Sequence, residues 1–356
     1  MEEQQCSVVQ QMLQAAQHTQ ESCAEVKGVQ GGSDFKPRPR FNPTEDVNAL
    51  EKAITGKEVD TGSIIDILTK RTNEQRQEIK AAYLKKTGKT LEEALKKSLS
   101  AKLASVILDM LKTPEELDAS KIKAATKGLG TDEDTLIEIF VTRPNQQIRK
   151  IKEVYKAAYK TDLEKDITDD TSGDFRTALL VLSKGVRSED CFVNEDLADK
   201  DAKALFEAGE NKKKADASKF IEVLTERSFP HLHQVFKNYA KYSKHDLNTA
   251  LDLQLKGDIE NCLVAIVKVA VGRPAYFAEK LSNALKSWKT QDKIVNRIIV
   301  SLHEIDVGTI SAAAADGSKP IQLEWVDDLS ALLCSASVGF RAFVSHRTLR
   351  IADPFK

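Results

Sequence analysis

The stretch KGLGTDEDTLIEIFVTR, residues 127–143, decides the fold that this sequence predicts. It joins a glycine-containing turn to an apolar segment that ends at Arg143. The segment recurs as IDILTKR at 65–71, where the arginine is at an offset of 72 (143 − 71). It recurs again as FIEVLTER at 220–227, where the offset is 84 (227 − 143). Internal periods of this length are typical of arrays of similar structural modules.

Two further patterns support the repeat. Each arginine is preceded by an aspartate at an offset of 11 (143 − 132), and SGDFRTAL at 172–179 matches KGDIENCL at 256–263, again at an offset of 84 (256 − 172). A fourth copy is degenerate, because Gln291 and Leu302 hold the places of the aspartate and the arginine. The sequence therefore predicts three modules and a partial fourth. The intact pairs are Asp60 with Arg71, Asp132 with Arg143, and Asp216 with Arg227.

The apolar residues follow a helical period. Leucines recur at every fourth position from Leu91 to Leu103, whereas no useful length of sequence alternates apolar and polar residues with the period of a strand. Gly, Asp and Pro interrupt the helical segments, as at 86–89 and 143–145. We therefore predict an all-α fold with about five short helices in each module of about 70 residues.

Composition limits the function classes. A chain of 356 residues, 41 % hydrophobic and 30 % charged, can bury sizeable cores. Its net charge of −1 argues against nucleic-acid or membrane binding through bulk positive charge, and no nucleic-acid partner is expected. Five cysteines without paired spacing favour a reducing compartment. No secretory segment and no run near the roughly 18 apolar residues of a spanning helix is found, so we expect peripheral membrane contact.

The turn at 127–132 is a candidate half of a calcium site. Gly128 and Gly130 permit a tight turn that can direct several main-chain carbonyl oxygens at one cation. Asp170 is at an offset of 40 from Gly130 (170 − 130) and could supply a carboxylate from another loop. Calcium accepts carbonyl, carboxylate and water oxygens together. The alternative interpretation is a glycine-capped junction between two helices.

Residues 42–306 resemble the annexin family, on the repeated modules, the KGLGTD loop and segments such as DTSGDFR at 170–176. The resemblance implies five-helix modules in a curved disc, calcium as cofactor on its convex face, and calcium-dependent binding to acidic phospholipid membranes. It also implies that Thr126, Gly128 and Gly130 offer carbonyl oxygens, that Asp170 is the carboxylate ligand, and that Thr131 ends the loop.

The other modules depart from the family pattern. In module one Glu58 stands in place of a loop glycine and Ala104 in place of the acid, so we expect this site to have lost calcium. In module three Gln254 replaces an acid and a lysine replaces the loop glycine, so we expect weaker binding. Module four has KSWKT at 286–290 instead of the glycine pattern. The candidate ligands in module three are Gly209, Lys212, Lys214 and Asp252.

The expected organisation has six parts. Residues 1–41 are an N-terminal tail and linker, 42–113, 114–185 and 197–269 are repeats one to three, 273–306 are a partial fourth repeat, and 307–356 are a divergent C-terminal segment. The pattern of residues 6–16 fits either a frayed tail or an amphipathic helix that docks in a groove of a partner, and for the second case the resemblance points to an EF-hand protein. The fourth module is expected to be incomplete or altered, with 307–356 the least ordered part after the tail.

Two other function classes were weighed. The sequence contains no nucleophile elbow, P-loop or HExxH motif that would indicate an enzyme. His231 and His233 do not share a helix face on which they could hold a metal. Residues 169–174 resemble the start of an EF-hand, but the glycine is one place early and the twelfth position is Leu180. The remaining alternative is a calcium-independent interaction scaffold that acts through the N-terminal segment. The resemblance further implies a phospholipase A2 inhibitor-like regulatory role and a cytoplasmic location, with nuclear or extracellular locations also known in the family.

Overall fold

The computed structural model describes residues 40–128, 130–286 and 291–302, apart from the side chains of residues 285, 286 and 302. Within this part of the chain the regular structure is sixteen α-helices and no strand. The predicted all-α class and the helical modules are confirmed. The N-terminal amphipathic segment, Trp288 and the C-terminal segment 307–356 lie outside the described residues.

The helices follow the repeat. Each of the three complete modules contains five helices, although the fifth of module three continues as a longer segment. Module one has α1 (Pro43–Thr55), α2 (Thr61–Thr69), α3 (Asn73–Thr87), α4 (Leu91–Ser98) and α5 (Ala101–Met110). Module two has α6 (Pro114–Ala125), α7 (Glu133–Thr142), α8 (Asn145–Tyr159), α9 (Leu163–Asp170) and α10 (Gly173–Leu182). Then come α11 (Glu195–Ala208), α12 (Ala217–Glu226), α13 (Phe229–Tyr239), α14 (Leu247–Gln254), α15 (Asp258–Lys286) and α16 (Asp292–Leu302).

The described residues form two compact units, one of residues 40–117 with 277–302 and the other of residues 118–276. Each has a core of leucine, isoleucine, valine and aromatic side chains from the inner helix faces. In the second unit Tyr155, Phe220 and Tyr239 are among the largest fully buried side chains. Fully burying one such side chain contributes about 1.5–3 kcal/mol, so these faces account for much of the driving force for helix packing.

Short polar signals set the helix ends. Thr72 and Gln75 form a reciprocal capping box at the start of α3, and Gly88 ends that helix in the left-handed region at φ 69°. Asp60 accepts a hydrogen bond from the Ser63 N–H at the start of α2, and Asp132 accepts one from the Thr135 N–H at the start of α7. The aspartates of modules one and two therefore cap the second helix, whereas Asp216 precedes α12 without a side-chain cap bond.

The repeated arginines form ion pairs, which are buried in modules one and two and partly exposed at Arg227 in module three. The Arg143 guanidinium donates to both carboxylate oxygens of Asp118, at 2.7 and 2.9 Å, and so joins the residue after α7 to α6. Arg71 pairs with Asp46 and Arg227 pairs with Asp201 in the same two-bond geometry. The recurrence that identifies the modules thus reflects a structural contact that brings the first two helices of each module together.

Helix α15 has a break that separates two lengths of helix. Gly272 has φ −178° and ψ 105°, and Pro274 follows it. The segment Asp258–Ala284 has the length and composition of a membrane span, which the sequence analysis did not anticipate, but half of its most apolar window is buried inside the protein. Buried core helices pass the same test, so this segment is weak evidence for a span.

The partial fourth module keeps features of the others. The Gln291 N–H donates to the Ala284 carbonyl at 3.2 Å, and the Asp60 N–H donates to the Ala53 carbonyl at 2.9 Å, with the same spacing of donor and acceptor (291 − 284 and 60 − 53). Helix α16 packs against α5, and Ile298 and Ile299 are buried. From the apolar residues of the C-terminal segment we expect Leu323, Trp325, Leu329, Leu332 and Leu333 to cover these isoleucines. These five residues lie outside the described part of the chain.

Candidate calcium site

The loop between α6 and α7 has the turn that the sequence predicts. The Asp132 N–H donates to the Ala125 carbonyl at 3.0 Å and closes the loop at its base. Gly128 has φ 114° and Gly130 has φ 88°, values that L side chains rarely adopt. The two glycines are therefore required by the backbone, and a side chain at either position would strain the turn.

Asp170 lies against this loop although it is distant from it in sequence. It is the last residue of α9, and the Thr131 hydroxyl donates to its Oδ2 at 2.8 Å and to its main-chain oxygen at 3.0 Å. A carboxylate and a glycine-containing turn are thereby held together at one edge of module two. In this structure Thr131 positions the carboxylate through its hydroxyl.

A buried polar cluster supports the base of the loop. Asp166, one turn before Asp170 on α9, accepts hydrogen bonds from Lys123 and from the Tyr155 hydroxyl, both at 2.6 Å. Burial and the hydrogen bond to Asp166 raise the pKa of Tyr155. Burial also acts to raise the pKa of Asp166, but the hydrogen bonds from Lys123 and Tyr155 outweigh it and lower that pKa. The cluster fixes the last turn of α6 relative to α9.

The donor set of this edge suits calcium. Thr126, Gly128 and Gly130 contribute carbonyl oxygens that accept no hydrogen bond from another described residue, and Asp170 contributes a carboxylate. Hard oxygen donors of these two kinds are what calcium prefers. Within the described residues no group of three or more His, Cys, Asp or Glu side chains could hold a metal, and a site built mainly from carbonyl oxygens does not need one.

Module one differs at both halves of the site. Glu58 occupies the loop position that corresponds to Gly130 at the repeat offset of 72 (130 − 58). Helix α4 ends at Ser98, which corresponds to Asp170, whereas Ala104 is buried within α5. Ser98 thus has the place at its helix end that Asp170 has in module two, while Ala104 stays the position that the resemblance indicates. Neither residue provides a carboxylate, so the predicted weakness of this site does not depend on that placement.

Module three has a longer loop with different contacts. The Asp216 N–H donates to the Ala208 carbonyl, and this loop is one residue longer than the loop that Asp132 and Ala125 close in module two. The Gly209 carbonyl accepts from the Lys212 N–H at 2.9 Å, and Gly209 itself has φ −106°. An added Cβ at Gly209 would lie 2.9 Å from Phe220 Cζ. This glycine is therefore needed for close packing and not for a left-handed turn.

The end of α14 in module three carries an amide where module two has an acid. Gln254 ends α14 as Asp170 ends α9, at the repeat offset of 84 (254 − 170), and Asp252 is exposed near the same helix end. Lys212 and Lys214 are exposed on the loop, and the Lys212 ammonium lies 3.3 Å from Asp216 Oδ2. The four predicted ligands are thus divided between the loop and the last turn of α14, with one carboxylate among them.

The remaining candidates outside these loops have structural contacts. His231 is buried and its Nε2 lies 3.0 Å from Asp201 Oδ2, next to the Arg227 ion pair, while burial lowers the pKa of His233. Cys191 is exposed and Cys262 is buried, and both are free thiols. Most of the loop of module four, residues 287–290, lies outside the described residues.

Comparison with known proteins identifies the family. The model of the annexin family matches residues 45–110, 117–182 and 200–266. This chain belongs to the annexin family. Annexin A1 of Rattus norvegicus is 60 % identical over 293 residues, which cover 82 % of this chain and 85 % of that protein. The predicted resemblance to the annexin family is confirmed, and annexin A1 is the type of annexin that these relatives share.

Solved annexin structures share the fold. Annexin III matches with a TM-score of 0.78 and 38 % identity, over 88 % of this chain and 95 % of that one. A calcium-bound annexin (Sm)1 matches with a TM-score of 0.71 and 26 % identity, over 90 % and 94 % of the two chains. At the level of the family, this chain is a calcium- and phospholipid-binding repeat protein, and annexins are generally not enzymes.

Proposed function

We propose that this annexin binds acidic phospholipid membranes mainly through one calcium ion at module two. The observation that carries the proposal is the hydrogen bond from the Thr131 hydroxyl to Asp170, which holds the carboxylate beside a loop with two left-handed glycines. Thr126, Gly128, Gly130 and Asp170 would hold the ion, with Thr131 as the positioning residue. Bound calcium supplies positive charge to a protein whose own net charge is −1.

The other sites make smaller contributions in this proposal. Module one offers no carboxylate at Ser98 or Ala104, so calcium binding there is weak or lost. Module three keeps Gly209, Lys212, Lys214 and Asp252 as candidate ligands, but the Gly209 carbonyl already accepts a hydrogen bond and Gln254 is neutral. Fewer anionic ligands lower the affinity of a calcium site.

Finer features of the function are proposed on family resemblance. They are peripheral membrane association from the cytoplasm, with nuclear or extracellular pools, a phospholipase A2 inhibitor-like regulatory role through occupation of the lipid surface, and an EF-hand partner at the N-terminal segment. The module boundaries given by the sequence analysis belong to the same proposal. Calcium-independent scaffolding through the N-terminal segment is the competing function, and vesicle binding distinguishes the two.

Sedimentation with phosphatidylserine-containing vesicles over a calcium titration tests the site. We expect Asp170→Asn to raise the calcium concentration for half-maximal binding at least about tenfold, because the carboxylate is the one anionic ligand. Thr131→Val should raise it by roughly threefold to tenfold, since loss of an orienting hydrogen bond weakens a metal site. Thr131→Ser keeps the hydroxyl and is the matched control.

The controls separate binding from folding. All three variants should keep the thermal transition of the wild type in chelator within a few degrees, because Thr131 and Asp170 are only partly buried. Wild-type calcium dependence in the Asp170→Asn variant would refute the assignment of the site. Equal effects of Thr131→Val and Thr131→Ser would refute the positioning role of the hydroxyl.

A further inference from the structure

One edge of module three has changed its chemistry relative to the same edge of module two. We define the module-two edge as positions 126–132 and 168–172, and the module-three edge as positions 210–216 and 252–256, at the repeat offset of 84 (210 − 126). The helices that bound the two edges correspond: α9 covers 163–170 and α14 covers 247–254, while α7 begins at 133 and α12 at 217. Counted back from Asp132 and Asp216, the two edges can therefore be compared position by position, and the one extra residue of the module-three loop lies before position 210.

At four exposed or half-exposed positions, module three has gained a positive charge or lost a negative one relative to module two. Lysines, Lys212 and Lys214, stand where module two has the glycines of its loop. Leu253 stands in place of Asp169, and Gln254 in place of Asp170. The edge lacks the two carboxylates at the helix end and the two loop glycines of module two, and it carries ammonium groups and an apolar side chain in their place.

The change reverses the net charge of the edge. On the module-two edge Lys127 is outnumbered by Asp132, Asp169 and Asp170, which leaves two negative charges. The module-three edge has one net positive charge, since it carries four lysines and three acids. Module two therefore needs a bound cation to approach an anionic surface, and module three does not. The seven charged residues are Lys212, Lys213, Lys214, Lys256, Glu210, Asp216 and Asp252.

The acids of the module-three edge are largely engaged within the protein. Glu210 Oε1 accepts from the hydroxyls of Tyr239 and Ser243, at 2.7 and 2.5 Å. Asp216 accepts from Ser218 at 2.5 Å and lies 3.3 Å from the Lys212 ammonium. Lys213 and Lys214, by contrast, are exposed and make no ion pair or hydrogen bond with another described residue.

An exposed apolar side chain stands on the helix end of this edge. Leu253 is 59 % exposed, and it precedes Gln254, which corresponds to the Asp170 that contacts the loop in module two. Exposed lysines and an exposed leucine on one edge match the two layers of an anionic membrane interface, in which charged headgroups cover apolar chains. A free phosphate or a polyanion would use the lysines alone and would leave Leu253 in water.

We propose that the module-three edge docks directly on anionic lipid surfaces without calcium, through Lys213, Lys214 and Leu253. This surface acts beside the calcium site of module two and goes beyond the calcium-dependent function proposed above. Juxtamembrane lysines contribute about fivefold each to partition onto anionic membranes. Two lysines therefore contribute roughly 25-fold, and this contribution weakens as ionic strength rises.

The test measures vesicle binding of the full chain in excess chelator. Vesicles of phosphatidylcholine with phosphatidylserine are compared with pure phosphatidylcholine at low and physiological salt. We expect wild-type binding to the mixed vesicles at low salt and a fall of roughly 25-fold in the partition coefficient of Lys213→Gln/Lys214→Gln. Leu253→Asn should lower the partition coefficient by about threefold to tenfold, because it removes apolar area from the contact.

The matched control is Lys184→Gln/Lys200→Gln, which has the same loss of charge. Both lysines are exposed; Lys200 lies about 12 Å along α11 from the end of that helix, and Lys184 follows α10. This control should bind mixed vesicles like the wild type.

The proposal is overturned if the wild type does not bind mixed vesicles in chelator, or if both double variants lose binding equally. It is also overturned if Leu253→Asn leaves vesicle binding unchanged while soluble polyphosphate displaces the vesicles, since the lysines would then bind phosphate groups without any contact to the apolar part of the membrane. None of these outcomes depends on calcium binding at Asp170, so the calcium-dependent function is tested separately.

Discussion

Removal of the Asp118 carboxylate should be among the most destabilising single changes in the second compact unit. The Asp118 and Arg143 side chains are only 2 % and 7 % exposed, and the guanidinium donates two hydrogen bonds to the carboxylate. Asp118→Ala removes the carboxylate that accepts both of these hydrogen bonds. Breaking a buried ion pair in this way costs about 3–5 kcal/mol.

The equivalent change in module three should cost less. The Arg227 side chain is 28 % exposed, so water can solvate its guanidinium when Asp201 is removed. We expect about 1–3 kcal/mol for Asp201→Ala, which also removes the acceptor next to His231. Lys156→Gln removes a surface pair with Asp162, in which both side chains are more than half exposed, and should cost less than about 1 kcal/mol.

Urea unfolding followed by circular dichroism in chelator measures the three free energies. The order Asp118→Ala, Asp201→Ala, Lys156→Gln is expected, with unchanged slopes against urea if the same surface is exposed on unfolding. Asp118→Leu/Arg143→Met should recover much of the loss, because an apolar pair removes the uncompensated charge. A cost of Asp118→Ala no greater than that of Lys156→Gln would refute the reasoning.

Two further predictions concern packing and pH. Gly209→Ala should destabilise the protein by about 1–3 kcal/mol, because the added Cβ would lie 2.9 Å from Phe220 Cζ. Gly62→Ala is the control: its added Cβ has its nearest contact at 3.6 Å, so it should stabilise α2 slightly. Equal melting temperatures of the two variants would contradict this prediction. The pKa of Asp166 is lowered overall, because the hydrogen bonds from Lys123 and Tyr155 outweigh the opposite effect of burial. Asp166 therefore contributes stability that is lost as the pH falls below about 4. Asp166→Asn should flatten the unfolding free energy in that acid range, and an unchanged pH profile would contradict the sign.

Much of the helical array could be predicted from the sequence, because the helices and the modules each produce a regular pattern of residues. The apolar period gives helices, and the offsets of 72 (143 − 71) and 84 (227 − 143) give modules. The partner of each repeated arginine was not predicted, although a signal exists in the spacing of the pairs. Asp46 and Asp118 precede their arginines at a sequence separation of 25, and Asp201 precedes Arg227 at a separation of 26. The extra residue in module three hides this spacing from a search for one fixed period.

The acid side of each candidate site was harder to place. Ser98 and Gln254 are the last residues of α4 and α14, as Asp170 is the last residue of α9. The resemblance indicated Ala104 in module one, and Asp252 with the neutral Gln254 in module three. The repeat offsets agree with Gln254, since 254 − 170 is 84, and add Ser98, since 170 − 98 is 72.

The edges of modules two and three can differ because other contacts, inside each module, stabilise the fold. The buried arginine–aspartate pairs and the apolar helix faces stabilise each module from within, whereas the loop residues Lys212 to Lys214 and the side chain of Leu253 are exposed. Surface substitutions away from such internal contacts usually change stability by less than about 0.5 kcal/mol. The edge of one module can therefore change from acidic to basic without loss of the fold. Two repeats of one architecture can in this way meet the same membrane, one through a metal ion and the other through its own lysines.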